Sequence, residues 1–496
     1  MTKFFIDQHG CAKNQVDGEL VMARLLSLGY EQTFTPALAD VIIVNSCGFI
    51  ASAKKESLDA VYAAKRAYPD AKVVLAGCLA ERYAETFRTA LPEADAVFGN
   101  GDLSRIGDVV GNVLSGERTI LVPEQKGICS GERTHFLSYR GAAYVKLTEG
   151  CSNRCTFCAI PLIRGAVRSR PEDDVIAEIQ SLVARGVFEI NLIGQDVAAY
   201  GTGIGDDVAG HGRAPLPAFS ADGKNTGTQT QSALAHLLGR IACLSGDFRV
   251  RLLYIHPDHF NRDILPVIKD EPRIVPYFDI PFQSGADTVI RAMNRIGPAQ
   301  EYIRLISDIR AALPDAVIRT TFLTGFPGET DSHAAETERF LAAIQSDWSG
   351  CFTYSREEDT PAYALKKRVP HKIAAARAAT LQSIQADITA HRLAARIGAE
   401  YDVLVEEVSA GNDAESFAIA RAWFQSPEVD GNVVVRYAAD DTEARRALRA
   451  GRVVHVRVDA VTGVDLDAHF VCDSALHPRG ERPDVSPLFF APEASA

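Results

Sequence analysis

The chain has 496 residues, of which 47% are hydrophobic and 23% charged. This composition is typical of globular proteins and excludes general disorder, and the length predicts about three domains. The formal net charge of −12 disfavours a protein that binds nucleic acid over its whole surface. The same charge leaves a local basic groove open and suits a basic protein partner.

The start of the chain, MTKFFIDQHGC, holds no apolar run of signal-peptide length, and no apolar stretch of 18 residues follows it. We therefore expect a cytoplasmic protein that does not contact membranes. In a reducing compartment, we expect the ten cysteines to be thiols rather than disulfides. Some of them should be metal ligands or catalytic groups.

Residues 1–120 alternate strand-like runs with amphipathic patterns. The strand-like runs are KFFIDQHG, VIIVNS and KVVLAG. Helices are predicted over VDGELVMARLLSLG, over 51–67 and from about Leu79. Asp17 would lie near the start of the first helix and Gly29 at its end. This repeated βα pattern predicts a parallel sheet covered by helices.

Three cysteines, Cys11, Cys47 and Cys78, each follow one of these strand-like runs. The carboxyl ends of parallel strands share one edge of a sheet, where ligands bind. We therefore expect these cysteines, here called the first triad, to converge on a three-thiolate site. The alternative is three small buried thiols, a common environment for free cysteine.

Six further strand-like runs with helical patterns between most of them occupy residues 140–372, after a linker over 121–139. They predict an incomplete parallel (β/α)6 barrel, two strands short of a full barrel. The Gly-, Pro- and Thr-containing stretch 202–232 indicates an inserted surface loop. A linker helix is expected over 373–397.

Short β-branched strands predict a small antiparallel β-barrel over 398–472, before an irregular tail over 473–496. The whole chain is thus of the α/β class with a small β domain. From Gly398 to Cys472 there are seven Arg, no Lys and fourteen Asp or Glu, a net charge of −7. Such a surface repels RNA phosphates and attracts a basic protein, unless it is merely a solvated charged surface.

The segment GCSNRCTFC carries Cys151, Cys155 and Cys158, here called the second triad, with the spacing C-x3-C-x2-C. No obvious fourth Cys or His with zinc-finger spacing follows, which disfavours zinc. Three thiolates on a cubane iron–sulfur cluster leave one iron without a protein ligand. A strand before the motif and Phe157 inside it strengthen this interpretation.

The sequence YVKLTEGCSNRCTFCAIPLIRGAVRSR is similar to the cluster loop of radical S-adenosylmethionine enzymes, in the version found in the methylthiotransferase family. GCAKNQVDGE, NSCGF and LAGCLAERY resemble motifs of that family's first domain. LIGQD, PFQSGAD, FLTGFPGET and YSREEDTPAY resemble its barrel motifs, and the C-terminal barrel resembles a TRAM domain. Only the insertion and the tail fall outside the resemblance.

The resemblance implies two [4Fe–4S] clusters and S-adenosylmethionine as cofactors. The cluster on the second triad would bind S-adenosylmethionine and yield a 5′-deoxyadenosyl radical that takes hydrogen from an unactivated carbon. The cluster on the first triad would hold the sulfur, and a second S-adenosylmethionine would supply the methyl group. An electron donor such as flavodoxin or ferredoxin is implied as a partner, and no catalytic residue beyond the clusters is predicted.

Six residues are predicted to contact S-adenosylmethionine. Phe157 would lie beside the adenine, and the others end two strands, in LIGQD and in the turn GFPGE. Each could instead be an ordinary strand-end turn, and GFPGE lacks the Lys-Ser/Thr pair of a phosphate loop. The predicted contacts are Phe157, Gly194, Gln195, Asp196, Gly325 and Phe326.

The segment HPDH, with His256 and His259, could hold a metal, but a capped loop is the favoured interpretation. The remaining cysteines lack partners at metal-binding spacing and are predicted to be free thiols. They are Cys129, Cys243, Cys351 and Cys472.

Two branches of the family modify different substrates, a tRNA adenosine or an aspartate of the small-subunit ribosomal protein S twelve. GCAKNQVDGE, Glu149 in the cluster motif and WFQSPEVDGNVVV resemble the ribosomal-protein branch, and the acidic C-terminal barrel favours it independently. We expect methylthiolation of the aspartate β-carbon in this basic protein, possibly on the ribosome. The alternatives are a tRNA adenosine methylthiotransferase and, from another class, a non-catalytic iron–sulfur electron carrier or redox sensor.

Overall fold

A computed structural model describes five segments of the chain, residues 1–124, 130–203, 231–409, 415–474 and 489–490. The predictions for Cys129, for most of the 202–232 insertion and for most of the tail lie outside these segments. Among the described helices, none is long and apolar enough to cross a membrane.

The first unit is a six-stranded parallel sheet with helices on both faces. Its elements are β1 (Lys3–Gln8), α1 (Ala12–Ser27), β2 (Glu31–Gln32), β3 (Val41–Ser46), α2 (Ala51–Ala67), β4 (Lys72–Gly77), α3 (Cys78–Ala90), β5 (Ala96–Phe98), α4 (Ile106–Leu114) and β6 (Thr119–Leu121). The strand order is β2-β1-β3-β4-β5-β6. Every residue of β3 is buried, because helices cover both faces of a parallel sheet.

The first helix differs from its prediction at the start. α1 begins at Ala12, directly after Cys11, and has no acidic residue in its first turn. The placement of Asp17 near the helix start was therefore wrong, and this carboxylate is instead buried in an ion cluster. Gly29 ends the helix as predicted, since its φ of +86° lies in the left-handed region that glycine tolerates.

The second unit is an incomplete barrel. Its elements are β7 (His135–Phe136), β8 (Ala142–Lys146), β9 (Thr148–Glu149), α5 (Ile160–Arg164), β10 (Arg168–Ser169), α6 (Glu172–Ala184), β11 (Glu189–Ile193), α7 (Ala233–Ala242), β12 (Arg249–Leu252), α8 (Ile264–Asp270), β13 (Ile274–Asp279), α9 (Asp287–Ala292), α10 (Ala299–Ala312), β14 (Val317–Thr324), α11 (Asp331–Ile344) and β15 (Trp348–Thr353). Six parallel strands follow the order β8-β11-β12-β13-β14-β15, which confirms the predicted number.

Side chains alternate between the two faces of this curved sheet. Val250, Leu252 and Phe278 face outward and join the large core under the surrounding helices. Arg251 and Tyr277 alternate with them and therefore face the lumen of the barrel. The lumen is thus lined partly by charged and aromatic groups.

The third unit is a closed five-stranded barrel. Its elements, with the helix that leads into it, are α12 (His371–Ala394), β16 (Glu400–Ser409), β17 (Glu415–Arg421), β18 (Val433–Ala438), α13 (Thr442–Ala447), β19 (Val453–Thr462) and β20 (Asp465–Asp473), and β21 (Phe489–Phe490) pairs with β7. The barrel order is β16-β17-β18-β20-β19. Four strand pairs are antiparallel as predicted, but β18 and β20 are parallel, because α13 carries the chain across the barrel between β18 and β19.

The connection between β17 and β18 enters the amino end of the central barrel. We call residues 422–432 the plug segment. Arg251 donates a hydrogen bond of 2.7 Å to the carbonyl of Trp423, and the hydroxyl of Tyr277 donates one of 2.6 Å to Asp430. The small barrel therefore closes one end of the central lumen.

A buried ion network fixes the same contact. Glu189, fully buried on β11, pairs with Arg249 at 2.6 Å and with Arg421 of the small barrel at 2.9 Å. Arg421 also binds Glu406 through a hydrogen bond of 2.5 Å. Arg251 also pairs with Glu189, at 3.2 Å. The three arginines around Glu189 and Glu406 offset the desolvation of this site, since a buried charge requires a partner.

Candidate active site at the two cysteine triads

The first triad lies along the carboxyl edge of the first sheet. Cys11 caps α1 after β1, Cys47 directly follows β3, and Cys78 directly follows β4 as the first residue of α3. These three strands are neighbours in the sheet. A Cβ atom added to Gly10 would lie 3.0 Å from the Cβ of Cys47, so the loops after β1 and β3 touch.

Asn14 holds these loops together from the first turn of α1. Its amide nitrogen donates to the carbonyls of His9, Asn45 and Ser46 at 2.8–3.2 Å. Its carbonyl oxygen lies 3.8 Å from the sulfur of Cys78. This side chain therefore links the loops that present all three thiols of the first triad.

The second triad lies on the loop between β9 and α5. The amide of Cys151 donates to the carbonyl of Gly165, and that of Cys158 to the carbonyl of Cys155, both at 3.0 Å. A Cβ atom on Gly150 would lie 2.1 Å from the carbonyl oxygen of Ala166, so this position requires glycine. The loop is thereby folded back on itself with its three thiols on one short segment.

The first triad contacts the segment that follows the second triad, across the boundary between the first two units. Cys78 packs against Ala159 and Ile163, which directly follow the second triad in the chain. Arg164, at the end of the same helix α5, donates a hydrogen bond of 3.2 Å to the sulfur of Cys78. The residues after one triad thus contact a member of the other.

Arg164 also belongs to a buried ion cluster that we call the interface cluster, formed with Asp17, Lys146 and Glu149. Arg164 donates to Glu149 at 2.7 Å and to Asp17 at 2.8 Å, and Lys146 donates to both carboxylates. Burial raises the pKa of Glu149, but Arg164 and Lys146 outweigh burial and hold this pKa far below its usual value. The cluster therefore remains charged and ties α1 to the barrel.

The thiols of the first triad influence one another. Burial, together with the charges of Cys78 and Cys11, raises the pKa of Cys47 to about 12. At Cys11, burial acts in the same direction, but the charges of Lys13 and Arg164 outweigh it and lower the pKa. Cys11 keeps a solvent-exposed face. Cations near this thiol favour the thiolate, the form that binds metals.

The donor sets fit iron–sulfur clusters better than single ions. Within the described part of the chain, no group of three or more His, Cys, Asp or Glu side chains is arranged to hold one metal ion. A cubane cluster presents a separate iron to each thiolate, so its ligands need not surround a single point. Burial raises the pKa of Cys151 to about 12, and the charges of Asp196 and Cys155 act in the same direction. In both triads, the thiols therefore lie close enough to affect one another's ionisation.

Two predicted cofactor contacts, Phe157 and Phe326, share one apolar cluster. Phe326 is fully buried beside Val289 and Met293, and the half-buried ring of Phe157 packs against the same cluster. The carbonyl of Met293 also accepts a hydrogen bond from the amide of Thr156. The structure thus brings together an aromatic of the second triad's loop and one that follows β14.

Gly194, Gln195 and Asp196 follow β11 as predicted, but they have different surroundings. A Cβ atom on Gly194 would lie 2.2 Å from the hydroxyl of Thr148, and Gln195 donates to Glu149 of the interface cluster at 3.3 Å. The carbonyl oxygen of the Gln195 side chain is buried and has no hydrogen-bond donor among the described residues. This oxygen is available to a ligand.

Asp196 connects three loops at this edge of the barrel. Its carboxylate accepts hydrogen bonds from Asn153 of the second triad's loop at 3.1 Å and from His259 at 2.6 Å. The amides of Ala198 and His256 donate to its other oxygen. Within the described chain, Asp196 therefore positions the cluster loop.

The turn GFPGE is held mainly by its own last residue. The amide of Gly325 donates to the carboxylate of Glu329 at 2.6 Å, and Glu329 in turn binds Arg377 of α12 at 2.8 Å. Gly325 has a φ of +78°, and a Cβ atom there would lie 2.4 Å from Ala374. This glycine permits the close approach of α12.

The HPDH segment forms a capped turn, as favoured from the sequence. The ring nitrogen Nδ1 of His256 accepts the amide hydrogen of Asp258 at 3.3 Å. The other ring nitrogen lies 3.9 Å from the sulfur of Cys155. Burial lowers the pKa of His256 to about 3, so the ring is neutral at pH 7.

Of the predicted free thiols, the three within the described residues are free: Cys243, Cys351 and Cys472.

Three residues of this site were not singled out from the sequence. Asn14 and Lys13 lie in the first turn of α1 and Arg164 lies in α5, and each is at least nine-tenths buried. The sequence did hold a clue to the residues of α1. The polar run KNQVD directly follows Cys11, and if Cys11 lies at a ligand-binding sheet edge, these polar side chains are also near that site. Several of their partners lie far along the chain, 31 positions away for Asn14 and 147 for Arg164, which local patterns do not show.

Comparisons with known proteins match all three units. Residues 3–99 match the model of "Uncharacterized protein family UPF0004", residues 145–341 match the "Radical SAM superfamily" and residues 397–471 match the "TRAM domain". The "Ribosomal protein uS12 methylthiotransferase RimO" of Treponema denticola is 49% identical over 93% of this chain and 99% of its own. The protein of the same name from Sorangium cellulosum is 36% identical over 94% of this chain and 90% of its own.

Proposed function

The chain belongs to the RimO family of ribosomal protein uS12 methylthiotransferases, and on that premise we propose that it transfers a methylthio group to the β-carbon of an aspartate in this ribosomal protein. It is a radical S-adenosylmethionine enzyme with [4Fe–4S] clusters and S-adenosylmethionine as cofactors. A carbon–hydrogen bond without acidity is beyond ordinary acid–base groups, so the cofactors supply the reactive radical.

We assign one cluster to each triad. The observation that carries this assignment is that Cys78 of the first triad packs on Ala159 and Ile163, shortly after the second triad, and accepts a hydrogen bond from Arg164. Two clusters held by neighbouring loops can act on one substrate atom, since reaction requires close approach of the groups involved. The six contacts proposed earlier for S-adenosylmethionine stay part of this proposal, with the free carbonyl of Gln195 and the ring of Phe157 as its best-supported members.

The two-cluster assignment is tested by two triple variants. We expect about eight irons in anaerobically prepared protein, four for each cubane cluster. Alanine at the second triad should remove about half of the iron and abolish cleavage of S-adenosylmethionine. Alanine at the first triad should also remove about half of the iron, but it should spare part of this cleavage and stop sulfur insertion. Iron content and 5′-deoxyadenosine formation are the measurements.

A matched control replaces three cysteines outside the triads with alanine. It should retain the full iron content and the activity. If the first-triad variant also retained all of its iron, the two-cluster assignment would be refuted. The control cysteines are Cys243, Cys351 and Cys472.

We propose that the acidic third unit docks the basic ribosomal protein. Its net charge between Gly398 and Cys472 is −7, which supports a basic protein partner over RNA. Glu406 does not contribute to such a surface, because it is buried against Arg421, and Asp441 caps α13 through two backbone amides. A docking test therefore needs other acidic residues.

Three acidic residues suit a charge-reversal test because they are not fully buried and have no ion pair within the described chain. Reversal to lysine should weaken binding of the ribosomal protein, most at low salt, where screening is least. Binding should be measured at two ionic strengths, with a control that reverses three exposed acids of the first unit. The test residues are Glu407, Asp440 and Glu443, and the control residues are Asp70, Glu117 and Glu124.

Equal binding by the test variant and wild type at low ionic strength would refute the docking role.

The substrate itself is tested by mass spectrometry of ribosomal protein and tRNA from a deletion strain. Loss of the aspartate modification is the expected result, and loss of a tRNA modification instead would favour the adenosine substrate. The proposal places the reaction in the cytoplasm, with a reduced flavodoxin or ferredoxin as electron donor.

A further inference from the structure

His256 is a buried side chain beside the loop that carries the second triad. Only 8% of His256 and 9% of Cys155 are exposed to solvent. The ring nitrogen Nε2 of His256 lies 3.9 Å from the sulfur of Cys155, a distance that a hydrogen bond to the large sulfur atom can span. The chemistry of this contact depends on which ring nitrogen carries the proton.

The other ring nitrogen decides where that proton resides. Nδ1 of His256 accepts the amide hydrogen of Asp258 at 3.3 Å, so it presents a lone pair and carries no proton. A neutral imidazole has one N–H group, and the hydrogen bond made by one nitrogen determines which nitrogen carries it. The proton of His256 is therefore on Nε2, the nitrogen that lies next to Cys155.

Neighbouring contacts hold the ring of His256 in this orientation. The carboxylate of Asp258, whose amide binds Nδ1, accepts a hydrogen bond of 2.6 Å from the hydroxyl of Tyr302. The ring of His259 lies 4.9 Å from the ring of His256 and binds Asp196, the residue that positions the cluster loop, at 2.6 Å. The turn and the cluster loop are therefore held in one arrangement.

The first and third thiols of the second triad already have hydrogen-bond donors from the backbone. Burial raises the pKa of Cys151 and of Cys158, and hydrogen bonds from the backbone amides of Asn153 and Ile160 act in the opposite direction. These amides therefore donate to the two sulfurs. His256 offers the corresponding N–H group to the middle thiol of the triad. A donor of this kind helps to set the properties of a bound cluster, since groups around the ligands tune the metal.

We propose that His256 donates a hydrogen bond to the thiolate of Cys155 and thereby raises the reduction potential of the cluster on the second triad. This inference rests on the proposed function, in which that triad holds a [4Fe–4S] cluster. A hydrogen bond to a ligand sulfur stabilises the additional negative charge of the reduced cluster, so reduction becomes more favourable. His256 is thus a positioning residue that acts through Cys155 on the ease with which the electron donor reduces this cluster.

The test compares anaerobically prepared holoenzymes, namely wild type, His256→Phe, His256→Gln and the control His236→Phe. The reduction potential of the cluster is measured by redox titration followed by electron paramagnetic resonance, and its signal is assigned by its absence from the alanine variant of the second triad. Phenylalanine keeps a ring of similar size without an N–H donor, whereas the glutamine amide restores a donor with similar reach. The control residue is exposed on α7, where it binds Glu172.

His256→Phe should shift the equilibrium toward the oxidised cluster by about three- to tenfold, which corresponds to about 30–60 mV at 59 mV for each factor of ten. His256→Gln should recover most of this shift, and the control should match wild type. Equal potentials in His256→Phe and wild type would overturn the inference, because the histidine would then only cap its turn. An equal drop in the phenylalanine and glutamine variants would overturn it as well.

A measurement on wild type decides the question if His256→Phe does not retain the second cluster. Protein labelled with nitrogen-15 in histidine alone is reduced, and pulsed electron paramagnetic resonance detects magnetic coupling between the cluster and a ring nitrogen. This coupling should be present in wild type and absent from His256→Gln, and its absence from wild type would overturn the inference. These contrary results leave the proposed function standing, whereas full iron content in the alanine variant of the second triad would overturn the two-cluster assignment and the inference with it.

Discussion

At the scale of single residues, Arg164 connects the two sites most directly. It is 4% exposed and its guanidinium donates to Asp17, Glu149 and the sulfur of Cys78. Replacement with methionine leaves two buried carboxylates short of a cation, and breaking a buried pair in this way costs about 3–5 kcal/mol. We expect Arg164→Met to lower the free energy of unfolding by an amount of this order, measured by denaturant titration.

The control for that change is Arg88→Met, which removes an exposed pair with Glu85 on α3. Water and salt screen surface pairs of this kind, so they contribute little to stability and the control should unfold almost as wild type does. Arg164→Lys should recover only part of the lost stability, because a lysine ammonium cannot reach the several acceptors that the planar guanidinium of arginine binds. A stable Arg164→Met variant would show that the interface cluster contributes little to folding.

At the scale of helices and strands, the sequence predicted most of what positions the thiols. β1, β3 and β4 are short apolar runs, and parallel pairing brings their ends together without any knowledge of side-chain contacts. The start of α1 was missed because its polar first turn suggests solvent exposure, whereas Lys13 and Asn14 are buried. Burial of polar groups depends on distant partners, and periodicity carries no information about them.

The plug segment was missed for a related reason. It has no regular alternation, and its hydrogen bonds to the central barrel join residues 76 to 172 positions apart, such as Trp348 to Phe424 and Arg251 to Trp423. Its sequence predicted membership of the small barrel but not insertion into another unit. The parallel pairing of β18 with β20 could not be predicted either, because the relative direction of two strands depends on the path of the chain between them.

At the scale of the whole molecule, Glu357 fastens the first unit to the barrel. Its side chain is 2% exposed and binds Lys54 of α2 at 2.8 Å and Arg82 of α3 at 2.7 Å. Burial raises the pKa of Glu357, but hydrogen bonds from Lys54, Ser355 and Arg82 outweigh burial and lower this pKa below its usual value. The contact between the two units therefore depends on an ionised carboxylate.

The stability that Glu357 contributes to the contact between the two units depends on pH. A carboxyl group with a lowered pKa in the folded state contributes stability above its unfolded pKa, about 4.3, and that stability is lost as the pH falls through the folded value. We expect Glu357→Gln to cost about 3 kcal/mol at pH 7 and to flatten the loss of stability with acid. Denaturant titrations of both proteins at pH 7 and pH 4 measure this, and parallel pH profiles would contradict it.

The plug segment also determines how molecules enter and leave. Because residues 422–432 close the amino end of the central barrel, molecules cannot enter the lumen from that end. In the proposed function, S-adenosylmethionine and the protein substrate both approach from the carboxyl ends of the strands. A ribosomal protein seated over those ends would block the exit of spent cofactor, so turnover would follow a compulsory order in which the large partner leaves before the small one is exchanged.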